Sequence, residues 1–253
     1  MRVFITGATS GIGAALARHY ASQGATIGLV ARRLPELTQL AASLGTSTAT
    51  YTADVADAEA MGKAAHDFLQ RHGTPDIVIA NAGISVGTLG GEAEDIPVLE
   101  RVLRTNVVGL AATIQPFVGP MRAQQSGTIV GIASVAGFRG LPGSGAYSSS
   151  KSAVITWLES LRTELYGSGV HVCTLCPGYI DTPMTQGNPY PMPFKLPVEE
   201  AARRFARAIA AKKTCVVIPW QMGVVGFFLR RIPASLYPML FARAGRKPRK
   251  LPM

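Results

Sequence analysis

The sequence predicts a doubly wound, Rossmann-like α/β fold: a parallel sheet of about seven strands with helices on both faces, forming a single domain over 1–253. Three observations predict it. Short β-branched runs alternate along the chain with longer helical patterns. The runs lack the polar alternation of half-exposed strands, so both of their faces are expected to be covered. The first run passes directly into a glycine-rich turn at the start of a helical pattern.

Taken in order, the strands are expected at 3–5, 26–31, 47–53, 76–80, 128–132, 170–175 and 215–218. The helices are expected at 12–22, 35–43, 58–71, 98–121, 146–166 and 198–210. Right-handed crossovers between parallel strands then place any ligand beyond the carboxyl ends of the strands. No Pro/Gly-rich linker divides the chain; the densest such stretch, 183–197, falls between a strand and a helix and reads as a functional loop.

Composition narrows the class. With 47% hydrophobic and 16% charged residues the chain has material for one large core and no long polar tract, which excludes a disordered protein. The net charge of +10 raises nucleic-acid binding. Its clusters are Arg203, Arg204, Arg207, Lys212 and Lys213, then Arg243, Arg246, Lys247, Arg249 and Lys250. The clustering is weak, so they read as a solvated helix face and a basic tail, and no nucleic-acid partner is expected. The other reading is contact with anionic lipid or an acidic protein. Three cysteines without a charged and apolar leader fit a reducing, cytoplasmic setting. Cys173 and Cys176 are three apart on a strand, hence on opposite faces, and read as core thiols rather than a redox or metal pair. The four histidines are scattered, and no metal site is expected.

The turn Thr6-Gly-Ala-Thr-Ser-Gly-Ile-Gly13 carries the first functional signal. Glycines let the backbone turn tightly and approach a pyrophosphate, and the helix start offers it free N–H groups. In this strand–turn–helix context Gly7, Thr9, Ser10, Gly11, Ile12 and Gly13 are expected to bind a dinucleotide. The second strand ends in Val30-Ala31-Arg32-Arg33. An NAD site commonly has an acid there for the ribose hydroxyls. Ala31 followed by two guanidinium groups suits a 2′-phosphate instead, so the cofactor expected is NADP(H).

Tyr147 and Lys151 are one turn apart on a helix face. A nearby ammonium favours the phenolate and draws a tyrosine toward general acid/base work, while Ser134, at a strand end, can hold a substrate oxygen. Together with Asp54-Val55, Asn81-Ala-Gly83, Asn106 and Pro177-Gly178 followed by Thr182, these residues make the chain resemble a short-chain dehydrogenase/reductase over roughly 2–218.

The resemblance implies that Asp54 and Val55 border the adenine, that Arg32 binds the phosphate, and that Asn81, Ala82 and Gly83 stabilise the central strand and touch the ribose. It implies Tyr147 as proton donor to a carbonyl, Lys151 as the group that depresses its pKa and binds the nicotinamide ribose, and Ser134 as the group orienting the substrate oxygen. Asn106 would hold a water relaying protons toward Lys151; a polar residue kinking a helix fits the same position. Pro177, Gly178, Ile180 and Thr182 would cradle the nicotinamide. The implied reaction interconverts a ketone or aldehyde and an alcohol on a small molecule. Reduction of a 3-oxoacyl thioester on an acidic carrier protein is the second reading, and a catalytically silent NADP(H) sensor or interaction protein the third. Relatives suggest a homodimer or homotetramer through the helices at 98–121 and 146–166.

Met184, Tyr190, Met192 and Phe194 in a lid at 183–197, with Val135 and Phe138, suggest a pocket for an apolar substrate; packing of the lid onto its own protein is the alternative. Beyond the matched region, 219–253 contains Trp220-Gln-Met-Gly-Val-Val-Gly-Phe-Phe-Leu229, two arginines, a second apolar stretch and the basic tail. The apolar run 220–229 is too short to span a bilayer. A subunit interface or an active-site cover is favoured over contact with a membrane surface.

Overall fold

The computed structural model describes residues 1–186 and 188–249; Gly187 and Lys250 to Met253 lie outside the described residues. Seven parallel strands form one sheet: β1 (Arg2–Thr6), β2 (Thr26–Ala31), β3 (Thr48–Thr52), β4 (Ile77–Ala80), β5 (Gly127–Ile132), β6 (Val170–Pro177) and β7 (Cys215–Ile218). Their order is β3-β2-β1-β4-β5-β6-β7, so the winding reverses between β1 and β4, where a crevice opens at the carboxyl ends.

Strand periodicity divides the core in two. Val3, Ile5, Ile27, Leu29, Ile79, Val130 and Leu175 point to the side covered by α1 (Gly11–Ala21), α2 (Leu34–Ser43) and, through Phe205, α7 (Val198–Ala210). Phe4, Val30, Val78, Ile129 and Val172 point to the opposite side, under α3 (Ala58–His72), α5 (Gly109–Ala123) and α6 (Gly145–Glu164). On that side Phe4 packs against Phe68 and Phe117, with ring centroids 5.3 and 4.8 Å apart. Gly28 makes room, because a Cβ there would lie 2.7 Å from both Phe4 and Phe68. Cys173 and Cys176 enter opposite halves of the core, as their spacing requires, and with Cys215 they are free thiols.

The expected helix at 98–121 is interrupted. It consists of α4 (Ile96–Leu103), a π-helical turn over Arg104–Val108, and α5. Asn106, in the middle of that turn, is fully buried and hydrogen-bonds outside the helix, which accounts for the widened ladder. Two further helices, α8 (Trp220–Arg231) and α9 (Tyr237–Phe241), lie in the extension, where the sequence suggested apolar segments without assigning helices. No helix among the described residues is long and apolar enough to cross a membrane.

Candidate active site

A cleft of about 630 Å³ opens at the carboxyl ends of the central strands. One end is built by the β1–α1 turn. Gly7 and Gly11 have positive φ, 66° and 53°. A Cβ on Gly7 would lie 2.8 Å from Ala82 Cα, and one on Gly13 would lie 2.3 Å from Gly7 O. Gly13 therefore serves helix–strand packing rather than the cleft surface, while Gly7, Thr9, Ser10, Gly11 and Ile12 line the cleft. The first turn of α1 has neither a side-chain cap nor an acidic residue, so its N–H groups and positive dipole end face the cleft uncompensated. Asn81 ties β4 to this turn, its Nδ2 donating to Thr6 O (2.9 Å) and Gly7 O (3.1 Å).

At the end of β2, Arg32 and Arg33 line the cleft with Ala31, Asp54 and Val55. Arg32 lies 3.6 Å from Asp54, whereas Arg33 reaches over the glycine turn to donate to Thr9 Oγ1 (3.2 Å) and pairs with Glu36 (3.2 Å). Both guanidinium groups are more than half exposed, which leaves them open to a phosphate.

The opposite end gathers Ser134, Tyr147 and Lys151. Ser134 ends β5 and caps a 3-10 turn, its hydroxyl accepting from Ala136 N at 3.1 Å. Tyr147 and Lys151 project from the first turns of α6, and Lys151 Nζ donates to Ile132 O at 2.7 Å. A Cβ on Gly83 would stand 3.2 Å from Asn106 Oδ1 and 3.5 Å from Nζ, so the β4 loop lies against both side chains. Burial pushes the Tyr147 phenol up to about 12, against a smaller downward pull from Ser134, and pushes the Lys151 ammonium down to about 8. The expected depression of the Tyr147 pKa by Lys151 is therefore not found. The ammonium is turned to the Ile132 carbonyl, 5.7 Å from the centre of the Tyr147 ring, and desolvation dominates both groups.

Asn106 accepts from Ile84 N (2.8 Å) and donates to Ile84 O and Ser150 Oγ (both 2.9 Å), fixing the loop after β4 against α6. Pro177, Gly178, Ile180 and Thr182 form the far wall. Thr185 Oγ1 holds that wall by donating to Ile180 O at 2.6 Å.

The suggested apolar pocket is brought together only in part. Met184 lines the cleft, and Tyr190 lies near enough to Tyr147 to influence its titration. Phe138 turns instead to α8, where Gly226 leaves space for its ring and Arg230 stacks over it at 4.1 Å. Val135 begins the 3-10 turn outside the cleft wall. Phe194 is half exposed, and Met192 meets Asn188 at its sulfur (3.6 Å); neither lines the cleft.

Arg101, Thr105 and Ile84 line the cleft without having been singled out in the sequence; Arg101 and Thr105 precede Asn106 on the same helix, the one available signal. The contact partners of the tail were not singled out either, although an active-site cover was one of the roles expected of the extension. Lys247 Nζ donates to Ser85 Oγ (2.9 Å) and to the carbonyl of Met184 (3.4 Å), Gly87 N donates to Pro248 O (2.9 Å), and Arg249 pairs with Asp95 (3.0 Å). Residues 245–249 thus strap the loop after β4 to the segment carrying Met184. No group of three or more His, Cys, Asp or Glu able to hold a metal occurs among the described residues.

A winding reversal, an open helix start and a Tyr–Lys–Ser group in one cleft define the class of nucleotide-dependent oxidoreductases. A family model described as short chain dehydrogenase matches residues 1–190, and the chain belongs to that family. It is similar to an uncharacterized oxidoreductase of Myxococcus xanthus, 35% identical over 236 residues, covering 92% of this chain and 93% of that one. Among solved structures it resembles a 3-ketoacyl-ACP reductase from Sinorhizobium meliloti (27% identity, TM-score 0.79, 89% of this chain and 100% of that one). It also resembles the L-sorbose reductase of Gluconobacter frateurii complexed with NADPH and L-sorbose (26%, TM-score 0.78, 86% and 94%).

Proposed function

We propose that the protein is an NADP(H)-dependent carbonyl reductase that interconverts a ketone or aldehyde and an alcohol on an apolar small molecule. The observation that carries this reading is the continuity of the cleft, with Arg32 and Arg33 at one end and Ser134, Tyr147 and Lys151 at the other. The residues fit a dinucleotide: uncapped N–H groups of α1 for the pyrophosphate, two guanidinium groups for a 2′-phosphate, and Asp54, Val55, Asn81, Ala82 and Gly83 along the adenosine and ribose path. The bound nicotinamide supplies the hydride.

The chain's own residues do the rest. Ser134 orients the carbonyl oxygen, and Tyr147, protonated at neutral pH, donates its proton to that oxygen as the alcohol forms. Lys151 binds the nicotinamide ribose from one turn beyond Tyr147, its ammonium 5.7 Å from the centre of the Tyr147 ring. Asn106 holds the loop and α6 in register and is the candidate anchor for a water that reloads the proton. Pro177, Gly178, Ile180 and Thr182 set which face of the ring is presented. The free thiols suit the cytoplasm. A homodimer or homotetramer through α4–α5 and α6 accords with the family.

A 3-oxoacyl thioester on an acidic carrier is the second reading, favoured by the net charge of +10 and the likeness to the Sinorhizobium enzyme. The test is NADPH oxidation across ketones, diketones, aldehydes and β-ketoacyl thioesters, with Tyr147→Phe as control. Turnover lost in that variant supports the reductase, and the preferred compound separates the two substrate classes. Silence across the panel despite tight NADPH binding points to a sensor.

A further inference from the structure

The extension exposes an apolar surface that nothing among the described residues covers. On α8 the outward residues are Trp220, Val224, Phe227, Phe228 and Arg231, spaced as one helical stripe, while Met222 and Gly226 face inward. Met222 packs on Gly178 and Gly226 on Phe138, so the inner face is docked on the body. A helix apolar on both faces is expected to be covered on both. Yet Trp220 is 67% exposed and Phe228 63%, and on the following segment Leu236, Leu240 and Met239 are exposed, the last at 79%.

The arrangement is held rather than frayed. Arg139 donates to Ile232 O at 3.1 Å and stacks over Tyr237 at 4.4 Å, while Tyr237 donates its hydroxyl to Gly140 O at 2.9 Å. Both helices are therefore pinned to the loop that follows the 3-10 turn.

The charge around this surface has one sign. Glu200 is the last acidic residue in the sequence, and Arg230, Arg231, Arg243 and Arg246 are all exposed in the extension. None of the four has a carboxylate within salt-bridge distance among the described residues. A two-fold interface would set this surface against its own copy and oppose the arginines with no acid on the segment to neutralise them. A tryptophan and phenylalanines bordered by arginines match an anionic bilayer surface, where aromatic rings lie at headgroup depth and guanidinium groups meet phosphates.

We propose that α8 and α9 dock the protein on an anionic membrane surface as a peripheral contact, with Trp220, Phe227, Phe228 and Met239 entering the headgroup region. The inner face of α8 reaches the cleft wall where Met222 packs on Gly178, so docking would place the active site near substrates partitioned into lipid.

The experiment is co-sedimentation of the full chain with phosphatidylcholine vesicles made with and without phosphatidylglycerol. It is paired with the fluorescence of Trp220 in a Trp157→Phe background and with light scattering in the absence of lipid. Expected are binding that requires the anionic lipid, a blue shift of Trp220, and a loss of affinity of roughly tenfold or more in Arg230→Glu/Arg231→Glu and in Phe227→Ser/Phe228→Ser. Unchanged NADPH binding checks the fold of each variant. Absence of binding at low salt overturns the proposal. So do patch variants that lower the oligomeric state while leaving vesicle binding intact, which would make this surface a subunit interface. Neither readout depends on turnover, so failure here is distinguishable from failure of the reductase reading.

Discussion

At the scale of single residues, the site is governed by desolvation. Tyr147, pushed up to about 12, stays a proton donor throughout the neutral range. The kcat/KM for reduction is accordingly expected to be flat near neutrality, while that for alcohol oxidation, which needs the phenolate, climbs by about tenfold per pH unit. Tyr147→Phe is expected to lower turnover by roughly 10²–10⁴-fold with NADPH affinity retained. Lys151 has a stability signature of the opposite kind. Its folded pKa of about 8 lies below the value of about 10.4 in an unfolded chain, so between these limits the unfolded state holds the extra proton and stability rises with pH. In urea titrations at neutral pH and near pH 10 the stability of the wild type relative to Lys151→Met is expected to rise with pH, a difference that cancels the opposing share of the buried thiols; an unchanged difference would mean that Lys151 is not desolvated as described. At the cofactor end, Arg32→Ala/Arg33→Ala is expected to weaken NADPH by about ten- to a hundredfold, the worth of charge-assisted hydrogen bonds, with little change for NADH. Equal losses for both would assign the arginines to the fold instead of the 2′-phosphate.

At the scale of elements, local pattern was legible where one period dominates. The strands are unbroken apolar runs because both faces are buried, and the glycine turn reads plainly because only glycine fits against Ala82 and the Gly7 carbonyl. Gly13→Ala is therefore expected to cost about 1–3 kcal/mol or more in thermal unfolding, since its Cβ would lie 2.3 Å from the Gly7 carbonyl oxygen, a backbone atom that cannot yield, and 2.6 Å from Asn81 Nδ2. Other elements were illegible for definable reasons. The π-helical turn keeps the apolar period of its flanking helices almost intact, so the sequence shows one helix where there are two, and Asn106 is the only mark of the break. Removing its amide in Asn106→Ala removes the bonds to the N–H and C=O of half-buried Ile84 and to the buried Ser150 hydroxyl, and is expected to lower stability by roughly 1–3 kcal/mol in thermal unfolding. Phe138 was misplaced because an aromatic directly after a 3-10 turn gives no sign of turning away from the cleft, and its partner Gly226 is distant in sequence. Composition likewise revealed the basic tail but not where it runs, because its contacts are to Ser85, Gly87, Met184, Glu94 and Asp95, far away along the chain.

At the scale of the whole molecule, the extension has two parts with different attachments: α8 and α9 present an outward surface, and residues 245–249 turn back across the mouth of the cleft. The strap joins the loop after β4 to the segment containing Met184, so it holds the two walls between which a substrate must enter. Its contacts fall on the Tyr147 side of the cleft and miss the β2 end, where Arg32 and Arg33 stand. Lys247 is held with its ammonium on two neutral oxygens, and desolvation lowers its pKa, so the latch loosens as the amine loses its proton at alkaline pH. Ending the chain at Ala244 is expected to leave the NADPH dissociation constant and the unfolding midpoint nearly unchanged, because the strap contributes only partly buried polar contacts and no core side chain. The same truncation is expected to raise KM for the carbonyl substrate several-fold and to broaden the range of substrates accepted, since freeing the Met184 wall removes orientation without touching the proton donor. Kinetics of the truncated enzyme against Lys247→Ala separate the two contributions of the strap. A KM effect reproduced by Lys247→Ala assigns it to the latch on Ser85 and Met184, whereas an effect seen only on truncation assigns it to the backbone bond at Gly87 and the Arg249 ion pairs. Loss of NADPH binding in either variant would show that the two ends of the cleft are not independently built.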